Sequence, residues 1–303
     1  MKIQIPLFLS ADLSALLSTL THHPYHPYHR LQALLIPLLL GGLLSLSSHS
    51  VHALPKHNPV PGGICILPLA PTIMPKPQVS FAGKRITTVE DNGEWKAVIG
   101  IPLDTDSGQQ QLTVRNPATQ QIIQRSFMVK KKQYRTQRLT IKDQSRVNPS
   151  GAHLQRILRE KQLKTQLRQT FSQTLPNFNI IRPLKGRDTG RFGLKRFING
   201  QPRNPHSGMD LAAPIGTAIH TVSAGKVIYT GRLFFSGNVV YIDHGEGLIS
   251  MYAHLNKIHV RQGQALAQGE VLGTVGKTGR ATGPHLHWAM YLNGAAVNPT
   301  LFF

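Results

Sequence analysis

Cysteine is nearly absent: Cys65 stands alone among 303 residues, so no disulfide can form within the chain in any compartment. Bulky Ile64 precedes it and the nearest long apolar run lies far upstream. That excludes a lipid-attachment cysteine and leaves a small buried hydrophobe. Acidic residues are scarce as well, with 13 Asp and Glu against 34 Lys and Arg, for a formal net charge of +21. A chain so one-sided is expected to associate with polyanions. Nucleic acid is the usual partner for such charge, but no RNA-recognition or zinc-finger motif occurs, and the N-terminus points to another compartment. Past the leader no segment is apolar enough to cross a membrane. The apolar fraction of 40% still suffices for packed cores, which excludes general disorder.

What is present begins with an export signal. Leu31 to Leu46 is an almost unbroken apolar run, with His29 and Arg30 before it and Lys2 further upstream. Val51-His52-Ala53 fits a signal-peptidase site, with cleavage after Ala53. The run is shorter than the roughly 20 residues of a spanning helix, and Pro37, Gly41 and Gly42 weaken it as one. A periplasmic or envelope location is therefore expected, the alternative being an uncleaved inner-membrane anchor. The HPYHPYH repeat reads as an upstream start-codon assignment or as leader filler, in preference to a metal site.

The rest is mainly β. Residues 1–53 form the leader and 54–78, rich in proline and glycine, a linker with a first strand. Over 79–148 short alternating runs such as AVIGIPL, punctuated by Asp91-Asn92-Gly93 and Asp106-Ser107-Gly108, predict a small N-terminal β domain, an antiparallel sandwich. Lys130, Lys131, Lys132, Arg135, Arg138, Lys142 and Arg146 make a basic stretch, either a solvated face or a contact for an anionic polymer. An amphipathic connector helix follows within 149–182, N-capped by Ser150, with Leu154, Ile157, Leu158, Leu163, Leu167 and Phe171 on its apolar stripe. Residues 183–303 alternate β-rich runs with glycine turns and predict one all-β domain.

Five residues in that domain carry chemistry: His206 and Asp210 in PHSGMD, His254 in MYAHL, and His285 and His287 in GPHLHW. Pro205, Gly208 and Pro214 oppose a helix, so the first pair belongs to a strand end and its loop. His285 and His287 sit two apart on a strand and share a face, so one can bind a metal beside the other. Two imidazoles and a carboxylate make an open catalytic zinc site, with histidines left over for proton transfer. No His-Glu-x-x-His string supplies a glutamate base, so histidine must take that role.

From about Arg191 onward the chain resembles the lysostaphin-type (LytM-like) zinc metallopeptidases. The matching strings are RFGLKRFINGQPRNPHSGMDLAAPIGT, SAGKVIYTG, GNVVYIDHGEG, MYAHL, VRQGQALAQGEVLGTVGKTGRATGPHLHW and the terminal VNP. PGGICILPLAP and AVIGIPL resemble the N-terminal β domain of some Gram-negative members. The resemblance implies an antiparallel lysostaphin-type β domain and one zinc per chain. It implies His206, Asp210 and His287 as ligands, and His254 and His285 as the catalytic pair, their separate roles open. The implied activity is hydrolysis of peptidoglycan peptide cross-links, Gly-Gly bridges or direct D,D links, with the Gram-negative look of the N-terminal region favouring the D,D type; the net charge adds anionic envelope polymers as further partners. The alternative is a non-catalytic activator of a wall amidase, whose relatives typically lack the metal residues. Arg203 is a candidate for substrate binding. Asp243 and Glu246 are candidates to support a ligand imidazole or to serve their turn, His244 reads as structural, and His220 and His259 as strand or surface residues.

Overall fold

The computed structural model describes residues 53–303, so the leader lies outside the described residues apart from Ala53. Among the described residues no helix is long and apolar enough to cross a membrane.

Alternating sequence in the first half gives β1 (Ile64–Pro71), β2 (Gln78–Phe81), β3 (Lys84–Asp91), β4 (Glu94–Gly100), β5 (Gly108–Arg115) and β6 (Ile122–Val129). They pair antiparallel in the order β1-β4-β3-β2-β5-β6. Asn92 and Gly93, with φ of 53° and 77°, close the β3–β4 hairpin in the mirror-image turn that suits strand twist. The expected sandwich is instead one continuous sheet. Lys84–Ile86 of β3 pair with β2 while Thr87–Asp91 pair with β4, so β3 carries the sheet around its own core of Cys65, Phe81, Ile99, Leu112 and Phe127. Within 54–78, Val60 and Ile64 are buried, and β1 pairs along its length with β4.

Next come β7 (Thr136–Leu139) and α1 (Gly151–Arg168). Ser150 is the N-cap, although its side chain makes no capping bond. The helix ends three residues before Phe171, and its apolar stripe is narrower than predicted. Leu154 and Leu158 are exposed, whereas Leu167 and Glu160 are buried. Glu160 is tolerated because both its oxygens accept from the Phe234 N–H, at 3.0 and 2.9 Å, and Arg156 Nε donates to it at 2.7 Å.

The remaining strands are β8 (Arg187–Gly190), β9 (Lys195–Ile198), β10 (Gln201–Arg203), β11 (Met209–Ala212), β12 (Ala218–His220), β13 (Gly225–Leu233), β14 (Gly237–Asp243), β15 (Leu248–Ile258), β16 (Ala265–Leu266), β17 (Val271–Val275), β18 (Leu286–Leu292) and β19 (Ala295–Val297). The main sheet runs β16-β13-β14-β15-β18-β11-β8, with β12 and β17 paired beside it and β19 on β18. β7 lies parallel to β9, and β10 antiparallel, in a small side sheet. The large core under the main sheet takes Ile64 and Val98 from the first half. β1 and β4 thus bury both faces.

Candidate metal centre

β18 lies between β11 and β15, and the register sets His287 opposite Asp210 on one side and Ala253 on the other. Directly opposed residues share a face, so Asp210 and His287 meet without any loop to position them. His254 follows Ala253, and strict alternation would turn it away. A bulge prevents this. Between the pairs Val240–Tyr252 and Asn238–Leu255, β15 carries one residue more than β14. His254 has φ of 66°, a left-handed conformation costly for a residue with a side chain. The ring comes to 4.8 Å from His285 and 6.1 Å from His287, centroid to centroid.

His206 arrives on the loop before β11 and is fully buried. Backbone pairing with the RFGL segment clamps it: Gly193 N–H donates to its carbonyl at 2.8 Å, and its own N–H donates to Leu194 at 2.9 Å. Gly208 and Gly190 are glycine because of crowding. A Cβ on Gly208 would come within 2.9 Å of the His287 ring, and one on Gly190 within 2.1 Å of Asp210 Oδ2.

The backbone assigns the tautomers. His206 Nδ1 is 2.8 Å from the Arg191 carbonyl, so it donates and Nε2 keeps the lone pair. His254 Nδ1 donates to Thr278 O at 2.7 Å and His285 Nδ1 to Gly283 O at 2.8 Å, so each presents a bare Nε2. His206 Nε2, Asp210 Oδ1 and His287 Nδ1 converge at mutual distances of 2.8 to 3.0 Å. Two imidazole nitrogens and a carboxylate oxygen aimed at one point suit a cation, and the donor set fits zinc.

Burial pushes the Asp210 carboxyl up, but its contacts with the His206 and His287 rings outweigh this and hold it well below the usual carboxylate range. Burial lowers His254 to about 3, helped by His287 and His285. It lowers His287 to about 4 against the pull of Asp210. Both rings are therefore neutral near pH 7, as metal binding and proton abstraction require.

Around this centre, Arg196 on β9 reaches Asp210 Oδ2 at 3.3 Å and accepts support from Gln137, whose Oε1 takes its Nε–H at 3.2 Å. Nothing in the sequence pattern marked Arg196. Arg203 lines the same cleft, with its guanidinium held by Val147 O and Asn148 Oδ1, each at 3.0 Å. Of the two acidic candidates, Asp243 Oδ1 accepts from Gly245 N–H at 2.9 Å and serves the turn. Glu246 binds Lys76 and the Thr88 N–H of the first sheet, so neither supports a ligand imidazole. His244 is buried away from the cluster, between Ala224 O and Ser250 Oγ. His220 Nδ1 donates to Gly269 O at 2.7 Å, and His259 is exposed.

Residues 204–299 match Peptidase family M23, and residues 57–132 match the Peptidase family M23 N-terminal domain. Among relatives, peptidoglycan DD-endopeptidase ShyA of Vibrio cholerae is 45% identical over 94 residues, 31% of this chain and 22% of its own length. DD-carboxypeptidase/endopeptidase Mpg of Neisseria meningitidis is 46% identical over 122 residues, 40% of this chain and 28% of its own. The matched segments thus span less than a third of these two relatives. A crystal structure from Pseudomonas aeruginosa described as peptidase M23 superposes with a TM-score of 0.68 at 40% identity, covering 81% of this chain and 95% of that one. Matched across nearly the whole of that structure, the chain belongs to peptidase family M23.

Proposed function

We propose that the chain is a zinc endopeptidase, with one zinc per chain, that hydrolyses peptide cross-links of peptidoglycan. The observation that carries this reading is the convergence of His206 Nε2, Asp210 Oδ1 and His287 Nδ1 beside two further imidazoles with bare Nε2 atoms. Zinc held there would supply Lewis acidity toward a water and a scissile carbonyl. His254 Nε2 accepts the proton that the attacking water gives up, because Thr278 O fixes the ring with Nδ1 protonated. His285 Nε2, 3.9 Å from Asp210 Oδ1, faces the same space as a second proton acceptor. Arg196 keeps Asp210 Oδ2 occupied, so that Oδ1 stays aimed inward. Arg203, held at the edge of the cleft, helps position the substrate.

The D,D cross-link is the favoured bond, by analogy with the activity for which ShyA is named. The net charge of +21 suits an envelope rich in carboxylates and phosphates, and the leader suits export to it. An amidase activator has no use for an intact ligand set, so that alternative is not favoured. The test is mass spectrometry of fragments released from purified sacculi by the zinc-loaded chain. Monomeric muropeptides split at the D,D bond are expected. Intact dimers after prolonged incubation would overturn the proposal, and cleavage at another bond would overturn its D,D part.

A further inference from the structure

A cavity of about 770 Å³ opens beside the metal centre, with His206, His254 and His287 in its wall. Its other wall is α1. Ile157, Lys161, Lys164 and Arg168 recur at spacings of four, three and four and so form one helical face toward the cavity. Arg196, Arg203 and Arg280 also line it, and among the described residues no Asp or Glu does. The charge is therefore of one sign beside a site where a peptide must lie.

Most of these cations are engaged. Arg196 holds Asp210, Arg203 holds the chain before α1, and Arg280 packs 4.2 Å over Phe235. Arg168 donates to Lys164 O and Thr165 Oγ1 and packs over Tyr291, acts that neutralise no charge. Among the described residues no carboxylate lies within ion-pair distance of Lys161 or Lys164, since Glu160 is taken by Arg156 and the Phe234 N–H. Burial lowers the Lys164 pKa; Glu160 offsets part of this, and Arg168 and Arg280 add to it. Lys161 is exposed, whereas Lys164 and Arg168 are half-buried, and like charges gathered so are unfavourable alone and favourable around an anion. The wall belongs to the segment between the two family matches, 57–132 and 204–299, so neither match assigns it a role.

We propose that Lys161, Lys164 and Arg168 form a carboxylate-binding subsite that seats a free carboxylate of the peptide substrate next to the scissile bond. The proposal rests on the peptidase reading above. The flexible ammonium groups of Lys161 and Lys164 suit the carboxylate of a peptide that must enter and leave, as point charges without a fixed fork, while Arg168 adds charge beside them.

The test compares a soluble cross-linked muropeptide dimer carrying free carboxylates with the same dimer amidated at those groups. Binding is measured by fluorescence anisotropy on zinc-loaded His254→Ala, which holds substrate without turning it over. The free-carboxylate dimer should bind about tenfold more tightly, as expected of one charge-assisted contact. Adding Lys161→Gln and Lys164→Gln, both good helix residues, should abolish the preference. Equal binding of the two dimers, no binding of either, or a preference that survives the double substitution would overturn the subsite. Cleavage by the unsubstituted chain separates the two proposals. Turnover of both dimers at equal KM sinks the subsite and leaves the peptidase, whereas selective binding without turnover sinks the peptidase and leaves the subsite.

Discussion

Arg196 and Asp210 divide the two oxygens of one carboxylate between two tasks: the guanidinium lies 3.3 Å from Oδ2, while Oδ1 faces His206 and His287. Arg196 comes from the small side sheet and Asp210 from the main one, so the contact ties the side sheet to the candidate metal centre. Supporting contacts to metal ligands typically contribute about 10- to 100-fold in affinity. Arg196→Gln should weaken zinc binding by that order in a chelator competition, and Arg196→Lys should restore part of it. Unchanged zinc affinity in Arg196→Gln would remove the guanidinium from any positioning role.

The ligand set itself makes a sharper demand. Purified chain should carry about one zinc, and His206→Ala or Asp210→Ala should lose metal and activity together. Elemental analysis showing full zinc in either variant would exclude that residue as a ligand.

His254 should behave differently, because its role is in proton transfer. His254→Ala is expected to retain zinc and lose about 10²- to 10⁴-fold in turnover. Turnover within a factor of two of the parent would move the base to His285.

Stability should depend on pH through His244. Burial lowers this imidazole to about 4, and the Ala224 carbonyl and Asp243 only partly oppose that. The unfolded chain binds the proton more readily, so folding is favoured above the ordinary histidine value near 6.5 and loses stability as pH falls from there to about 4. The loss is on the order of 3 kcal/mol for a group this deeply buried. Urea titrations across that window should show a shallower slope for His244→Gln, although that variant starts less stable. Parallel slopes would mean His244 is not held neutral.

The clustering of the five candidate residues was legible because their types are rare in combination and the two-residue spacing brings His285 and His287 together. The β-rich character was legible for the same reason, in alternation and glycine turns. The aim of His254 was not, since it depends on a bulge set by the unequal lengths of β14 and β15 between paired residues. The tautomers were hidden because Arg191, Thr278 and Gly283 act through main-chain carbonyls, which any residue carries. α1 misled because Leu154 and Leu158 are apolar residues left in solvent, and its inward stripe includes Glu160. The sandwich expectation failed at β3, where one strand serves both halves of a curled sheet.

The two-faced burial of β1 and β4 has a calorimetric consequence. Ile64 and Val98 belong to the core of the C-terminal half, while their neighbours Cys65, Ala97 and Ile99 belong to the other. A strand cannot melt on one face only. Heating should therefore give a single endotherm, and a nick between the halves should leave fragments that stay associated.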